Sequence, residues 1–422
     1  MLLEERPAKT ARTSGRQRKL AEQLEVTRSL SLEIAAPLSA EDQAVQAHDD
    51  ASPTKWHLAH TTWFFEELIL KSFLRGYRIF DPRFAYCFNS YYESLGARHP
   101  RPKRGLLTRP AAEEIKAYRS YADENLRILM VDPLPEGTLD LIETGINHEQ
   151  QHQELMLTDI LALFAGNPLR PVYKAADTQP AETVNAGGHW RDIPGGVYEI
   201  GHRGKGFAYD NEGPCHQVLL RDYRIFSREV TNGEWMAFME AGGYSDPGLW
   251  LADGWAAVQR EQWRAPGYWE ERDGTWHQMT LHGHRPAGKD EPVTHVSYYE
   301  SDAFARWAGY RLPTEFEWEV ALRNEQAPEP LHLSRLAAKP ASSASLSGPL
   351  WEWTQSAYSP YPGYQPVPGP LGEYNGKFMC NQLVLRGGSF ATPANHLRPT
   401  YRNFFYPYQR WQFMGLRLAS EA

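Results

Sequence analysis

The chain has 422 residues, a hydrophobic share of 41% and a formal net charge of −8, which is enough for two or three domains with ordinary cores. The acidic balance argues against a nucleic-acid partner, and no apolar run approaches the ~20 residues that span a membrane. Three widely spaced cysteines and a charged start without an apolar stretch predict a reduced, cytoplasmic protein.

The first half of the chain has the pattern of a helical bundle. Ser52-Pro53 predicts a helix start, and Gly166-Asn167-Pro168 predicts a helix end. The four predicted helices cover residues 20–32, 53–70, 110–130 and 137–164. With one polar loop at residues 80–109, they predict an up-down four-helix bundle.

Composition changes near residue 170, because twelve of the 14 Trp lie beyond it. That half is rich in Gly and Pro, with strand signals at residues 196–201 and 217–220 and a short helix predicted over 301–309. The predicted domains are a flexible tail over 1–13, a bundle over 14–167, a linker over 168–186 and a second domain over 187–422.

The fourth predicted helix carries His148-Glu149-Gln150-Gln151-His152, which places two imidazoles one turn apart on one face. Such a pair is half of a site for a first-row metal. His57 and His60 on the second predicted helix are candidates for the third ligand, and spacing does not choose between them. The letters also match the zinc-protease pattern, with Glu149 as general base, although the Gly and His of the longer protease pattern do not follow.

The pattern H-x3-H-x-E, which ends at Glu154, and the upstream Leu-Ala-His resemble the DinB-like bundle of the ergothioneine-pathway sulfoxide synthases (EgtB type). The resemblance implies that His60, His148 and His152 hold one non-haem Fe(II), with open positions for a thiolate, a second substrate and O2. It leaves two roles for Glu154, which would either orient a metal ligand or simply be a solvent-exposed residue of the helix.

The polar loop adds to the resemblance. Asn89-Ser90-Tyr91-Tyr92-Glu93 is similar to the loop of the second EgtB type, which implies that Tyr91 or Tyr92 donates a proton during catalysis. Arg101 and Arg104 match the family's R-x-x-R, which implies that their planar forks bind the carboxylate of the thiol substrate. From the residues alone, a packed tyrosine pair and a solvated basic turn are the alternatives.

Segments along the second half resemble the formylglycine-generating enzyme, whose fold is C-type-lectin-like. They include residues 228–232, 292–298, 311–318, 350–354, 385–390 and 415–418. The pair of nearby cysteines that holds copper in that enzyme is missing, since Cys380 stands alone, so formylglycine chemistry is not expected. The expected fold class is α+β multidomain, a DinB-like four-helix bundle followed by a formylglycine-generating-enzyme-type domain.

The segment Arg402–Pro407 resembles the part of the family that receives trimethylated histidine. The resemblance implies that Asn403 binds the substrate carboxylate, that Phe404 and Phe405 face the quaternary ammonium, and that Gln151 touches the imidazole or the carboxylate. The alternative for the Phe pair is ordinary core. The first EgtB type has an Asp near the position of Phe405 that helps to bind a γ-glutamyl amine, so its absence favours free cysteine over γ-glutamylcysteine.

The expected activity is therefore Fe(II)- and O2-dependent. A cysteine or γ-glutamylcysteine thiol would be joined to C2 of the imidazole of hercynine (Nα-trimethylhistidine), and the sulfur oxidised to a sulfoxide. The rivals are an OvoA-like 5-histidylcysteine sulfoxide synthase, a metal-dependent thiol S-transferase of the DinB superfamily, and a binding protein with a structural metal. The sequence leaves open whether the chain forms a homo-oligomer.

Overall fold

The computed structural model describes residues 14–176, 187–325, 329–339 and 348–422. The chain divides into two compact units. The first contains the described residues up to Ser90 and Gly96–His152, and the second contains Tyr91–Leu95 and the described residues from Gln153 onward. The predicted tail over 1–13 and residues 177–186 of the predicted linker lie outside the described residues. No helix among the described residues is long and apolar enough to cross a membrane.

The first unit is helical, as predicted. Its helices are α1 (Gly15–Ala35), α2 (Thr54–Phe65), α3 (Lys71–Phe73), α4 (Phe84–Phe88), α5 (Ala112–Leu129) and α6 (Glu136–Gly166), the last of which continues into the second unit. Ser14 caps α1 by accepting a hydrogen bond from the backbone N–H of Gln17 at 3.1 Å. Ser52 is not the N-cap of α2, because Pro53 occupies that position, and the Ser52 hydroxyl accepts a hydrogen bond from Arg104.

The core of the first unit is built from four helical segments. Apolar side chains spaced three or four residues apart on each helix meet in one buried cluster. Its members include Leu20, Leu24, Phe65, Ile69, Ala122, Leu126, Leu139, Ile142 and Ile146. Burial of each large aliphatic or aromatic side chain stabilises the fold by roughly 1.5–3 kcal/mol. This packing fixes α2 and α6, which carry the histidines.

The second unit contains both helices and sheets. Its strands are β1 (Trp190–Ile193), β2 (Gly196–Ile200), β3 (His216–Leu220), β4 (Tyr223–Glu229), β5 (Trp269–Arg272), β6 (Thr275–Thr280), β7 (Gly283–Pro286), β8 (Trp351–Ala357), β9 (Leu383–Gly387), β10 (Asn403–Phe405) and β11 (Met414–Glu421). The main sheet has the order β1-β4-β11-β8-β9-β10, with β11 and β8 parallel and the other pairs antiparallel. Strands β2–β3 and β5–β6–β7 form two smaller sheets. The α+β class is confirmed.

Among its described residues, the second unit has four helices of eight residues or more after α6, of which the sequence pattern predicted one. They are α7 (Asn232–Glu240), α8 (Ala252–Glu261), α9 (Tyr298–Trp307) and α10 (Glu315–Leu322). Three of them start with a capping box. In a capping box, the N-cap hydroxyl accepts a hydrogen bond from the backbone N–H of a glutamate three residues later, and the carboxylate of that glutamate accepts one from the N-cap backbone N–H. The pairs are Thr231 with Glu234, Ser297 with Glu300, and Thr314 with Glu317. The S/T-x-x-E signature is present in the sequence at these three starts and could have predicted the two that were missed.

Candidate metal centre

Two histidines of α6 and one of α2 form a compact cluster. His148 and His152 lie one turn apart, with ring centroids separated by 4.6 Å. His60 faces both, with its Nε2 3.1 Å from Nε2 of His148 and its ring centroid 4.7 Å from that of His152. One ring nitrogen from each histidine lies within 4.8 Å of the others, and no other group of three or more metal-ligating side chains does so among the described residues.

Hydrogen bonds orient two of these rings. Nδ1 of His60 lies 2.6 Å from the carbonyl oxygen of Phe88, so an Nδ1–H donates there and leaves the Nε2 lone pair for the cluster. His57 lies outside the group of three, and its Nδ1 is 2.8 Å from Nδ1 of His152. The geometry thus separates the two histidines that spacing alone left equal, since His60 joins the cluster and His57 supports it.

Burial keeps the three imidazoles neutral. Desolvation lowers the pKa of His148 to about 3, although the charge of Glu149 acts in the opposite direction. Desolvation and the neighbouring histidines also hold the pKa values of His60 and His152 well below their usual range. Neutral nitrogens are the form that binds metal. Two nitrogens on one ion at about 2.1 Å and at right angles are on the order of 3 Å apart, so the His60–His148 separation fits a shared first-row ion.

The surroundings of Glu149 do not fit the general base of a zinc protease. Its carboxylate is buried and accepts hydrogen bonds from Arg119, from Arg28 at 3.0 Å and from Ser31 at 2.6 Å. Desolvation would raise the pKa of Glu149, but the two arginines outweigh it and lower the pKa to about 2. All three partners lie on α1 and α5, so Glu149 serves to anchor α6 in the bundle.

Glu154 also differs from both expected roles. Its carboxylate accepts hydrogen bonds from the indole of Trp351 at 2.8 Å and from the hydroxyls of Ser389 at 2.5 Å and Thr392 at 2.8 Å. All four residues belong to the second unit. Glu154 is therefore neither a solvated helix residue nor a hydrogen-bond partner of the three imidazoles in the described contacts.

The two arginines of the R-x-x-R pattern have different surroundings. Arg101 is exposed, and its guanidinium donates to the backbone carbonyl of Asp50. Arg104 is buried, donates to Ser52 at 2.9 Å and lies 3.4 Å from the ring centroid of Trp56. The ring of Trp56 is in turn stacked on His60, with centroids 4.7 Å apart and an interplanar angle of 12°. Trp56 thus connects Arg104 to the histidine cluster, because it contacts both Arg104 and His60.

Tyr91 and Tyr92 belong to the second unit, and their rings stack at 4.7 Å. Tyr92 is fully buried, and desolvation, followed by the neighbouring Tyr91, raises its pKa well above the usual value. Its phenol therefore holds its proton at neutral pH, as a proton donor requires.

The other predicted substrate residues are half-buried. Gln151 lies on α6 between the two histidines. Asn403 and Phe404 lie on β10, where Phe404 stacks on Tyr358 at 4.1 Å and Asn403 accepts a hydrogen bond from the backbone N–H of Phe404. The ring of Phe405 lies 6.2 Å from that of Trp411. Their roles in binding stay predictions.

Sequence reasoning missed Trp56, and it named His57 as a candidate ligand but not as a partner of His152. Trp56 precedes His60 by four residues, and the i, i+4 rule places the two on one helix face. The same rule would have placed the stacked pair together. His57 carries no such signal, since its partner lies on another helix.

Comparison with known proteins identifies both halves of the chain. Residues 23–156 match the DinB superfamily, and residues 175–331 and 333–422 match the sulfatase-modifying factor enzyme 1-like domain. The chain is 33% identical to the hercynine oxygenase of Mycolicibacterium thermoresistibile, over 87% of each chain. It is 33% identical to that of Mycobacterium tuberculosis, over 87% of this chain and 91% of the relative. It is also 27% identical to ergothioneine biosynthesis protein 1 of Schizosaccharomyces pombe, over 50% of this chain and 27% of that protein.

Proposed function

The chain belongs to the hercynine oxygenase family and is an oxygen-using oxidoreductase, and on that premise we propose that it is a sulfoxide synthase of the ergothioneine pathway. The proposed reaction joins the thiol of cysteine to C2 of the imidazole of hercynine and oxidises the sulfur to a sulfoxide. The supporting observation is the buried cluster of His60, His148 and His152.

The reaction balances with one O2. The thiol S–H and the imidazole C2–H are replaced by a C–S bond, and the sulfur gains one oxygen atom. These changes remove four electrons from the two substrates, which is the number that reduces O2 to one sulfoxide oxygen and one water. Zn²⁺ has no redox chemistry, so a metal that takes part in this oxidation must be redox-active.

The three histidines fit Fe(II) as the resident metal. His60, His148 and His152 would hold it, and imidazole ligands suit iron. When bound, the metal supplies the redox chemistry and the positions where thiolate and O2 react. The chain's own contribution is to keep the three imidazoles neutral and to orient two of them, His60 through Phe88 and His152 through His57.

Other residues of the chain would bind and orient the substrates. Arg104 would pair with the carboxylate of cysteine, and Phe404 and Phe405 would face the trimethylammonium of hercynine. Tyr91 or Tyr92 would supply a proton, which a buried phenol retains until it is needed. Asn403 and Gln151 would hydrogen-bond the polar groups of hercynine, and Arg101 would add positive charge for the carboxylate of cysteine.

Anaerobic loading with Fe(II), addition of hercynine and cysteine, and admission of O2, followed by mass spectrometry, tests the proposal. A joined sulfoxide product from the wild-type protein, absent from His148→Ala, would support it. O2 uptake no greater than that of His148→Ala would contradict it. A preference for histidine over hercynine would indicate the 5-histidylcysteine reaction, and a product formed without O2 would indicate a thiol transferase.

A further inference from the structure

The tyrosine loop, defined here as Tyr91–Leu95, belongs to the second unit although its flanking residues on both sides belong to the first. Within that unit it contacts a segment far along the chain, residues 370–378, which contains two 3-10 turns, Pro370–Glu373 and Gly376–Phe378. Four residues of that segment, Glu373, Tyr374, Lys377 and Phe378, contact the loop. The loop contains one 3-10 turn, Glu93–Leu95, and partners from elsewhere in the chain bind further backbone groups of the loop.

The carboxylate of Glu373 binds the loop backbone at two points. Oε2 accepts a hydrogen bond from the N–H of Glu93 at 3.0 Å, and Oε1 accepts one from the N–H of Ser94 at 2.9 Å. Desolvation acts to raise the pKa of Glu373, but hydrogen bonds with Ser94 and Lys377 outweigh it and lower the pKa to about 2. The carboxylate is therefore charged at neutral pH, and bonds to a charged acceptor are the stronger kind.

Lys377 binds the same loop at a backbone carbonyl, whereas Glu373 binds backbone N–H groups. Its ammonium donates to the backbone carbonyl of Tyr91, and it pairs with Glu373 at 2.9 Å. The same nitrogen lies 5.3 Å from the centroid of the Tyr91 ring. Glu373 and Lys377 thus act as a two-residue clamp, which fixes the backbone immediately before and after Tyr92.

Aromatic contacts extend the clamp to the Tyr91 side chain. The rings of Tyr374 and Phe378 meet Tyr91 edge-on, at 6.0 Å and 5.2 Å between centroids. Phe378 also packs on Phe404, with ring centroids 5.9 Å apart. Phe404 is one of the residues proposed to face the substrate ammonium. One short segment thus relates the position of the phenol to that of the substrate-binding phenylalanine.

We propose that Glu373 and Lys377 are positioning residues for the reaction, which hold the tyrosine loop so that its phenol reaches the reacting atoms. The inference rests on the proposed function, because the loop is taken to supply the proton. Neither residue exchanges a proton with substrate. Small displacements of a positioned group have large effects on rate, so loss of the clamp should lower kcat with little change in binding.

Hydrogen exchange tests the contact itself without reference to activity. In Glu373→Gln, the backbone amides of Glu93 and Ser94 should exchange about tenfold faster or more, while those of β9 should not change. The matched control is Lys71→Met, which removes an i, i+4 partner of Glu67 in the first unit. It should leave the loop amides unchanged. Unaltered exchange in Glu373→Gln would overturn the clamp.

Kinetics test the positioning role. Lys377→Met should lower kcat about tenfold or more, with unchanged iron content and a KM for hercynine within about threefold of wild type. Lys377→Arg, which can still donate to the Tyr91 carbonyl, should restore most of kcat. An unchanged kcat in Lys377→Met, or no rescue by Lys377→Arg, would overturn the proposal. A wild-type protein that forms no product would refute the proposed function instead, and the exchange experiment would still decide whether the clamp exists.

Discussion

The Nδ1 atoms of His57 and His152 lie 2.8 Å apart, although only His152 belongs to the cluster of candidate metal ligands. At that distance one nitrogen donates a proton and the other accepts it. The bond uses Nδ1 of His152, so Nε2 is the nitrogen left for a metal. Partners of this kind fix the tautomer and the ring orientation of a ligand.

Substitution of His57 should therefore weaken metal binding without abolishing it. We expect His57→Ala to raise the dissociation constant for Fe(II) by roughly 10–100-fold, measured by anaerobic titration of the metal-free protein. His277→Ala, a histidine of β6 in the second unit, should leave it unchanged. An unaltered affinity in His57→Ala would show that the contact does not orient His152.

Glu149 should act on stability. Glu149→Gln would remove the carboxylate partner of the buried Arg119 and leave Arg28 paired with Asp123 alone, and loss of one partner from a buried ion group costs about 3–5 kcal/mol. Urea unfolding at neutral pH measures this free energy. The control on the same helix is Glu143→Gln, whose carboxylate is partly exposed beside Arg16 and should change stability by about 1 kcal/mol or less. Equal losses in the two variants would contradict the assignment.

The sequence predicted the parts of the site that depend on local geometry. His148 and His152 meet because a helix brings residues four apart onto one face, and the long helices follow from their apolar spacing. The identity of the domains came from resemblance, and both family matches confirm it.

The remaining features depend on contacts between distant segments. Glu149 resembled a protease base in the sequence, and only the packing of α1 and α5 shows that it pairs with Arg28 and Arg119. The clamp on the tyrosine loop joins residues about 280 positions apart, which no spacing rule relates. Helices such as α7 and α10 were missed because they are only nine and eight residues long, and helices this short depend on tertiary packing for their stability.

Arg104 and Arg101 should differ in their effects on thiol binding. Arg104→Lys keeps the charge but loses the planar fork and its stack on Trp56, so the KM for cysteine should rise about tenfold or more. Arg101→Lys, at an exposed position, should change that KM by about twofold or less. Steady-state kinetics at saturating hercynine measure both. Equal effects of the two substitutions would contradict the different roles inferred from their surroundings.

Glu229 should make the stability of the second unit depend on pH. Burial, and then repulsion from Glu352, raises the pKa of Glu229 above the ordinary 4.5. As pH rises above 4.5 toward the raised pKa, the unfolded chain has lost a proton that the folded chain retains, so the free energy of unfolding falls.

Glu229→Gln, which stays neutral, should remove that component of the slope, up to about 1.4 kcal/mol per pH unit. Urea unfolding of both proteins between pH 5 and pH 7 measures the difference. Parallel pH profiles of the wild type and Glu229→Gln would show that Glu229 is already charged in the folded protein across this range.

Isotope labelling tests the central proposal most directly. The Fe(II)-loaded protein is mixed with hercynine and cysteine under ¹⁸O2, and the product is analysed by mass spectrometry. We predict a cysteine–hercynine adduct that carries one ¹⁸O in its sulfoxide and is not formed by His148→Ala. No adduct, or an adduct formed without O2 and without label, would contradict the proposed sulfoxide synthase.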